Sequence, residues 1–140
     1  MTITHILCMS ESRILVSTDG IKTCIYEHLP PMKQPFKKNN WRMIHQMKEI
    51  DNTRIKTSML AEDYFILGND DCHFFMFDVI GYSMIEKGYI RNYTINCMLL
   101  VEDNMVVFGH QGGILSLWDT SKRVLDPEEL DKLHKSIIDT

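Results

Sequence analysis

The sequence has no long apolar run. Its longest stretch without Lys, Arg, Asp or Glu is Asn104 to Trp118, 15 residues interrupted by His110, Gln111 and two glycines. That is short of the roughly 20 apolar residues needed to span a bilayer. No charge of one sign dominates: 15 Lys and Arg stand against 19 Asp and Glu, a net charge of −4. The basic residues are scattered, which leaves no electrostatic footprint for nucleic acid or a membrane surface. The cysteines form no close pairs. Cys8, Cys24, Cys72 and Cys97 stand singly in or beside apolar runs, which argues against a zinc knuckle or a disulfide framework. The expectation is reduced, buried thiols in a cytoplasmic protein, with a nuclear one also possible. The start, MTITHILCMSE, has neither a basic n-region nor a small-residue cleavage site, so secretion is not expected. A helical period is also missing until the last fifteen or so residues. What remains is ordinary globular composition, 44% hydrophobic and 24% charged over 140 residues, enough for one domain with its own core.

What is present is a repeat. Ser58 to Gly68 reads as an apolar run, an acidic turn, and a second apolar run ending in a small residue. The same sequence of features recurs 41 positions on, at Leu99 to Gly109, and 51 positions back, at Leu7 to Ser17. The alignment continues without a gap, laying Ser17 to Glu27 over Gly68 to Asp78 and over Gly109 to Asp119. Its last two columns are Tyr26-Glu27, Phe77-Asp78 and Trp118-Asp119. With aromatics at 9% of the chain, one fully aromatic column arises by chance about once in a thousand. The acidic neighbour, the shared turn and the absence of gaps add to that.

Arg13 to Thr18, Tyr64 to Asn69 and Met105 to Gly109 are short, apolar and bounded by turn residues, and read as strands. Asp19-Gly20, Asp70-Asp71 and Gln111-Gly112-Gly113 fall where a tight hairpin needs positive φ or an Asx-type turn. Further strands fit at Arg42 to Glu49 and at Ser83 to Ile90.

The third copy, NMVVFGHQGGILSLWDTSK, resembles the second half of a WD repeat, with Trp118-Asp119 as the name-giving pair. The 41-residue period lies in that family's range. The resemblance covers residues 3 to about 125 and is strongest in copies two and three. It implies an all-β fold: a partial β-propeller of three antiparallel blades with 4, 4 and 3 strands, followed by a short C-terminal helix. The blades span residues 1–125, at about 3–49, 54–90 and 95–125. Blade one is assigned strands at Ile3 to Met9, Arg13 to Thr18, Lys22 to His28 and Arg42 to Glu49. Blade two has Arg54 to Leu60, Tyr64 to Asn69, His73 to Val79 and Ser83 to Ile90. Blade three has Ile95 to Val101, Met105 to Gly109 and Ile114 to Asp119, with no good fourth strand. One departure stands out. No Gly-His pair precedes Ile3, Arg54 or Ile95, so the family's Asp–His–Ser/Thr–Trp hydrogen-bond network is expected to be incomplete.

Asp126-Pro127-Glu128-Glu129 opens the helix of residues 126–140 with an acidic N-cap, a proline at the first position and carboxylates near the positive end of the dipole. Leu130, Leu133, Ile137 and Ile138 give it one apolar face. It either covers the open edge of blade three or carries that face to a partner. Propellers close with roughly 4 to 8 blades, and bare blade faces are apolar patches of a kind that monomers rarely expose. The chain is therefore expected to be part of a larger propeller, to complete one with another propeller chain, or to self-associate through its open blade edges.

The resemblance places binding at the end of the blades where the second-to-third-strand turns and the blade-to-blade links meet. The residues there are Asp19, Asn69, Asp71, His110 and Gln111, with Asp51, Asn52, Arg91 and Asn92. His110 is read as an exposed turn residue, since no Ser, Cys or carboxylate is fixed near it as a catalytic partner. His73 beside Cys72 does not suit a metal, because adjacent strand residues point to opposite faces. Gly112-Gly113 opens no helix and so cradles no phosphate. The inserted segment His28 to Trp41 holds three prolines and three lysines. It is either a recognition loop for an acidic partner, with Phe36, Lys37, Lys38 and Trp41 as its contacts, or a long surface loop. No catalytic set, metal site or cofactor is legible. The function expected is a non-catalytic scaffold or interaction module with a protein or peptide partner. The alternative is a propeller-based enzyme or small-ligand binder whose pocket the sequence does not reveal.

Overall fold

The computed structural model describes residues 2–19, 22–28, 40–102, 104–121 and 128, and the backbone of 124 and 125. Residues 29–39 of the inserted segment and the expected C-terminal helix, Glu128 aside, lie outside the described residues.

Twelve strands form along the described chain. They are β1 (Ile3–Cys8), β2 (Arg13–Thr18), β3 (Thr23–His28), β4 (Trp41–Gln46), β5 (Ile55–Leu60) and β6 (Tyr64–Asn69). They continue as β7 (His73–Asp78), β8 (Met84–Tyr89), β9 (Ile95–Glu102), β10 (Met105–His110), β11 (Leu115–Asp119) and β12 (Val124–Leu125). Each consecutive four make one antiparallel sheet in sequence order. The fold is all-β, and each sheet has the form of a propeller blade. The third blade carries the three full strands expected of it. It also has a two-residue outer strand, with Val124 opposite Trp118 and Leu125 opposite Leu117, too short for side-chain alternation to show in the sequence. Strand β4 ends earlier than expected, because Lys48–Ile50 turn into a single 3-10 turn. No helix among the described residues is long and apolar enough to cross a membrane.

The repeat is also a repeat of register. Arg13 pairs with Glu27, Tyr64 with Asp78 and Met105 with Asp119, so the acidic column always faces the first residue of the preceding strand. The outer pairings of the first two sheets slip at one repeat position, between Ile25 and Tyr26 and between Met76 and Phe77. The acidic residues have local work. Asp78 accepts hydrogen bonds from the backbone N–H groups of Ile80 and Gly81, at 3.2 and 3.3 Å. Asp119 accepts from the Ser121 N–H at 3.0 Å and its hydroxyl at 2.6 Å. Such Asx-type turns end the strand and start the next corner. Glu27 instead pairs with Arg13 and Arg42, each at 3.3 Å.

The chain divides into two compact units, Met1–Lys56 and Thr57–Thr140. In the first, Leu15, Ile25, Met47, Ile50 and Ile55 are buried. In the second, the sheets β5–β8 and β9–β12 share a core. Met59, Tyr64, Ile66, Phe74, Met76 and Ile90 pack with Ile95, Val106, Phe108 and Trp118. Trp118, fully buried, lies 4.8 Å from the Phe74 ring and 6.3 Å from Phe108. Phe74 fits because its cross-strand neighbour is Gly88, where an added Cβ would sit 1.9 Å from the ring.

The cysteines depart from expectation. All four are free thiols, but Cys8 and Cys97 are exposed and Cys24 and Cys72 only half-buried. Apolar neighbours along the chain do not settle burial where a strand turns one side outward. Burial pushes the Cys24 thiol up from its usual range; Asp51 adds to this and Lys22 opposes it.

Trp118→Ala is expected to destabilise the protein by about 3–5 kcal/mol, the usual result of emptying a large aromatic site. Gly88→Ala is expected to cost about 1–3 kcal/mol by overpacking against Phe74. Tyr26→Ala, at the half-buried member of the same column, should cost less than Trp118→Ala. Urea unfolding of the three variants checks the order.

Candidate functional site

In the second unit the β6–β7 turn, the β8–β9 link and the β10–β11 turn come to one end of the sheets. A backbone hydrogen bond ties the first turn to the link, Ile90 N–H donating to the Cys72 carbonyl at 2.9 Å, and within the link Tyr93 N–H donates to the Ile90 carbonyl at 3.1 Å. Left-handed conformations at Cys72 (φ 65°), Asn92 (φ 65°), Gly112 (φ 79°) and Gly113 (φ 74°) close the corners.

Two residues expected at this surface are inside it. Asn69 is 7% exposed, and its Oδ1 accepts from the N–H groups of Asp71 and His73, both at 2.9 Å. His110 is 6% exposed and ends strand β10. Its ring spans two elements, with Nδ1 3.0 Å from the Thr94 carbonyl and Nε2 2.7 Å from the Ser116 hydroxyl. A carbonyl can only accept, so Nδ1 carries the proton; in the neutral ring Nε2 then accepts from the Ser116 O–H. The reading of His110 as an exposed turn residue is thereby corrected. Strand β10 runs one residue further than its sequence suggested, and alternation puts His110 on the inner face with Val106 and Phe108. The parity of 106, 108 and 110 was the available signal. A buried His–Ser pair does form on the Trp118 face, with its imidazole supplied by the end of β10.

Asp71, Arg91, Asn92 and Gln111 remain exposed at this end. In the first unit Asp19 is exposed and holds the N-terminal strand. Its Oδ1 accepts from the Thr2 N–H at 3.0 Å, and its own N–H donates to the Thr2 carbonyl at 2.9 Å. Asp51 is half-buried and accepts from Gln46 Nε2 at 3.4 Å. Asn52 is exposed with φ 64°. Trp41 begins β4, is 38% exposed and meets the buried His28 ring edge-on at 4.9 Å. Phe36, Lys37 and Lys38 lie outside the described residues.

The other end of the second unit holds a feature that sequence reading missed. Glu62, Asp63 and Glu102, with Tyr64, Leu100 and Asn104, line an open cleft of about 390 Å³. Burial raises the Tyr64 phenol above its usual range, and the Thr120 hydroxyl acts in the opposite sense. Adjacent turns of two copies of the repeat form this cleft, so no single copy reveals it. Among the described residues, no three His, Cys, Asp or Glu side chains gather as metal ligands.

Neither a protein-family model nor a curated protein sequence matches the chain. Solved structures do share its fold. The WD40 β-propeller domain of Doa1 superposes with a TM-score of 0.64 at 14% identity, over 89% of this chain and 40% of that one. The computationally designed Ika8 protein gives 0.64 at 11% identity, over 86% of this chain and 35% of its own. The designed Ika4 protein gives 0.62 at 11% identity, over 84% and 65%. The chain thus spans less than two thirds of each of these structures, and the likeness is one of fold.

Ser116→Ala is expected to cost about 1–3 kcal/mol, because it leaves the buried His110 nitrogen without its partner. Denaturant unfolding measures the loss. Alkylation under native conditions should label Cys8 and Cys97 before Cys24, since the Cys24 thiol is less exposed and harder to ionise; peptide mapping over time reads the order.

Proposed function

We propose that the chain is a non-catalytic protein-interaction module built from divergent WD-type blades. Its partner is a protein or peptide, and its setting is the cytosol or nucleus. The observation that carries the reading is the division of labour at the turn end of the second unit. Asn69 and His110 are buried and hydrogen-bonded to the backbone of the turns and link. They hold Asp71, Arg91, Asn92 and Gln111 outward on a fixed frame. Rigid presentation of polar groups lowers the ordering cost of binding, and loops on a rigid scaffold are where such recognition concentrates. The likeness to a WD40 propeller domain supports the same reading at the level of fold. Asp19, Asp51 and Asn52 are proposed as a corresponding set in the first unit, with Phe36, Lys37, Lys38 and Trp41 of the inserted segment as a basic arm for an acidic partner.

Affinity capture comparing wild type with Asp71→Lys/Arg91→Glu/Gln111→Lys tests this surface. A partner held by the wild type should fall by about tenfold or more in the variant, as loss of central contacts does elsewhere. Undiminished recovery contradicts the assignment. In the same assay, unchanged recovery with Lys37→Glu/Lys38→Glu would remove the inserted segment from the binding surface.

A further inference from the structure

The sheet β9–β12 has two faces of different fate. One carries Val106, Phe108, Ser116 and Trp118, all buried. The other carries Leu99, Val107 and Leu117, which stand directly opposite one another across the three strands. Leu115 and the exposed Cys97 join that face on either side of Gly109. Leu99 is 64% and Leu115 53% exposed. Contiguous exposed apolar residues of this kind mark association surfaces.

The repeat says what fits there. Val107, Leu115 and Leu117 lie 41 positions after Ile66, Phe74 and Met76. Those three form the face with which β5–β8 packs against Val106, Phe108 and Trp118. The outward face therefore repeats, with an apolar residue at each position, a surface that this chain already uses to hold a sheet. The complementary surface is repeated as well. Val106, Phe108, Ser116 and Trp118 lie 92 positions after Ile14, Val16, Cys24 and Tyr26. Those four share one face of β1–β4, with Ile14 opposite Tyr26 and Val16 opposite Cys24. Ile6, opposite Val16, is 54% exposed, and Met43, opposite Tyr26, is 52% exposed.

We propose that the outward face of β9–β12 binds the Tyr26 face of β1–β4 in a second copy of the chain, head to tail. This rests on reading the sheets as propeller blades that serve in an assembly. Each copy carries both halves of one contact, so the interface is heterologous and association ends only when the copies close on each other. The smallest assembly that closes in this way contains two copies. The expected species is a dimer.

Sedimentation equilibrium of the full chain, across concentrations, should show twice the chain mass. Leu115→Arg and Met43→Arg each place a charge at an exposed position of one of the two faces, and each should weaken dimerisation at least tenfold. Because the faces differ, an equimolar mixture of the two variants retains one contact with both faces intact. The mixture should associate more tightly than either variant alone. Circular dichroism and thermal melts establish that the variants are folded, and the wild-type mass needs no variant. A monomer at every concentration overturns the proposal, and leaves the face to residues 126–140 or to another protein. A dimer indifferent to both substitutions also overturns it, as does a mixture no tighter than its components. A monomer that still loses its captured partner on substitution of Asp71, Arg91 and Gln111 would leave the interaction function standing without self-association.

Discussion

The packing of Phe74, Phe108 and Trp118 between consecutive sheets is the interaction on which the second unit depends. An antiparallel sheet of short strands buries one face easily. Here the sheet β5–β8 has buried residues on both sides: Ile66, Phe74 and Met76 on one, Phe65, Leu67, Phe75 and Phe77 on the other. A strand buried on both faces loses the apolar-polar alternation that usually reveals it. β6 is buried at every position, and β7 at its four central ones. The large rings are what make this arrangement specific. Aromatic pairs at these separations contribute beyond the area they bury, about 0.5–1.5 kcal/mol each, and the Phe74 ring occupies the space that a Cβ at Gly88 would fill.

Polar groups are handled with the same economy. The acidic residue that follows each aromatic column member is used at once, as a turn acceptor at Asp78 and Asp119 or as an ion-pair partner at Glu27. At the opposite end of the strands, Asn69 and His110 occupy one repeat position and solve one problem in two ways. Asn69 satisfies the N–H groups of its own turn, whereas His110 reaches the Thr94 carbonyl in the link before β9 and the Ser116 hydroxyl across the hairpin. In blade one Ser17 and Thr23 bond each other at 2.7 Å, buried, one residue away in register. Each repeat thus places a satisfied polar group near its second turn, which fixes the corner without exposing a reactive side chain.

Much of the fold was legible because the repeat was legible. Three copies of an aromatic-acidic pair, in fixed register with a small residue, located β2, β3, β6, β7, β10 and β11 to within a residue or so. The two-residue β12 was not legible, since its pairing depends on Trp118 and Leu117 rather than on any pattern of its own. The candidate surface was read less well. Turn chemistry identified where the chain bends, but not which side the last strand residue faces, so Asn69 and His110 were placed in solvent when strand parity puts them inside. The cleft of Glu62, Asp63 and Glu102 joins turns 40 residues apart, and only the packing of one sheet on the next assembles it.

The sheets of the second unit are held together by their aromatic faces. A double-mutant cycle between Phe74→Leu and Trp118→Leu, read by urea unfolding, measures that directly. A coupling energy of about 0.5–1.5 kcal/mol is predicted for rings in contact. Additivity of the two substitutions to within about 0.3 kcal/mol would contradict it, because residues without a shared contact are expected to add.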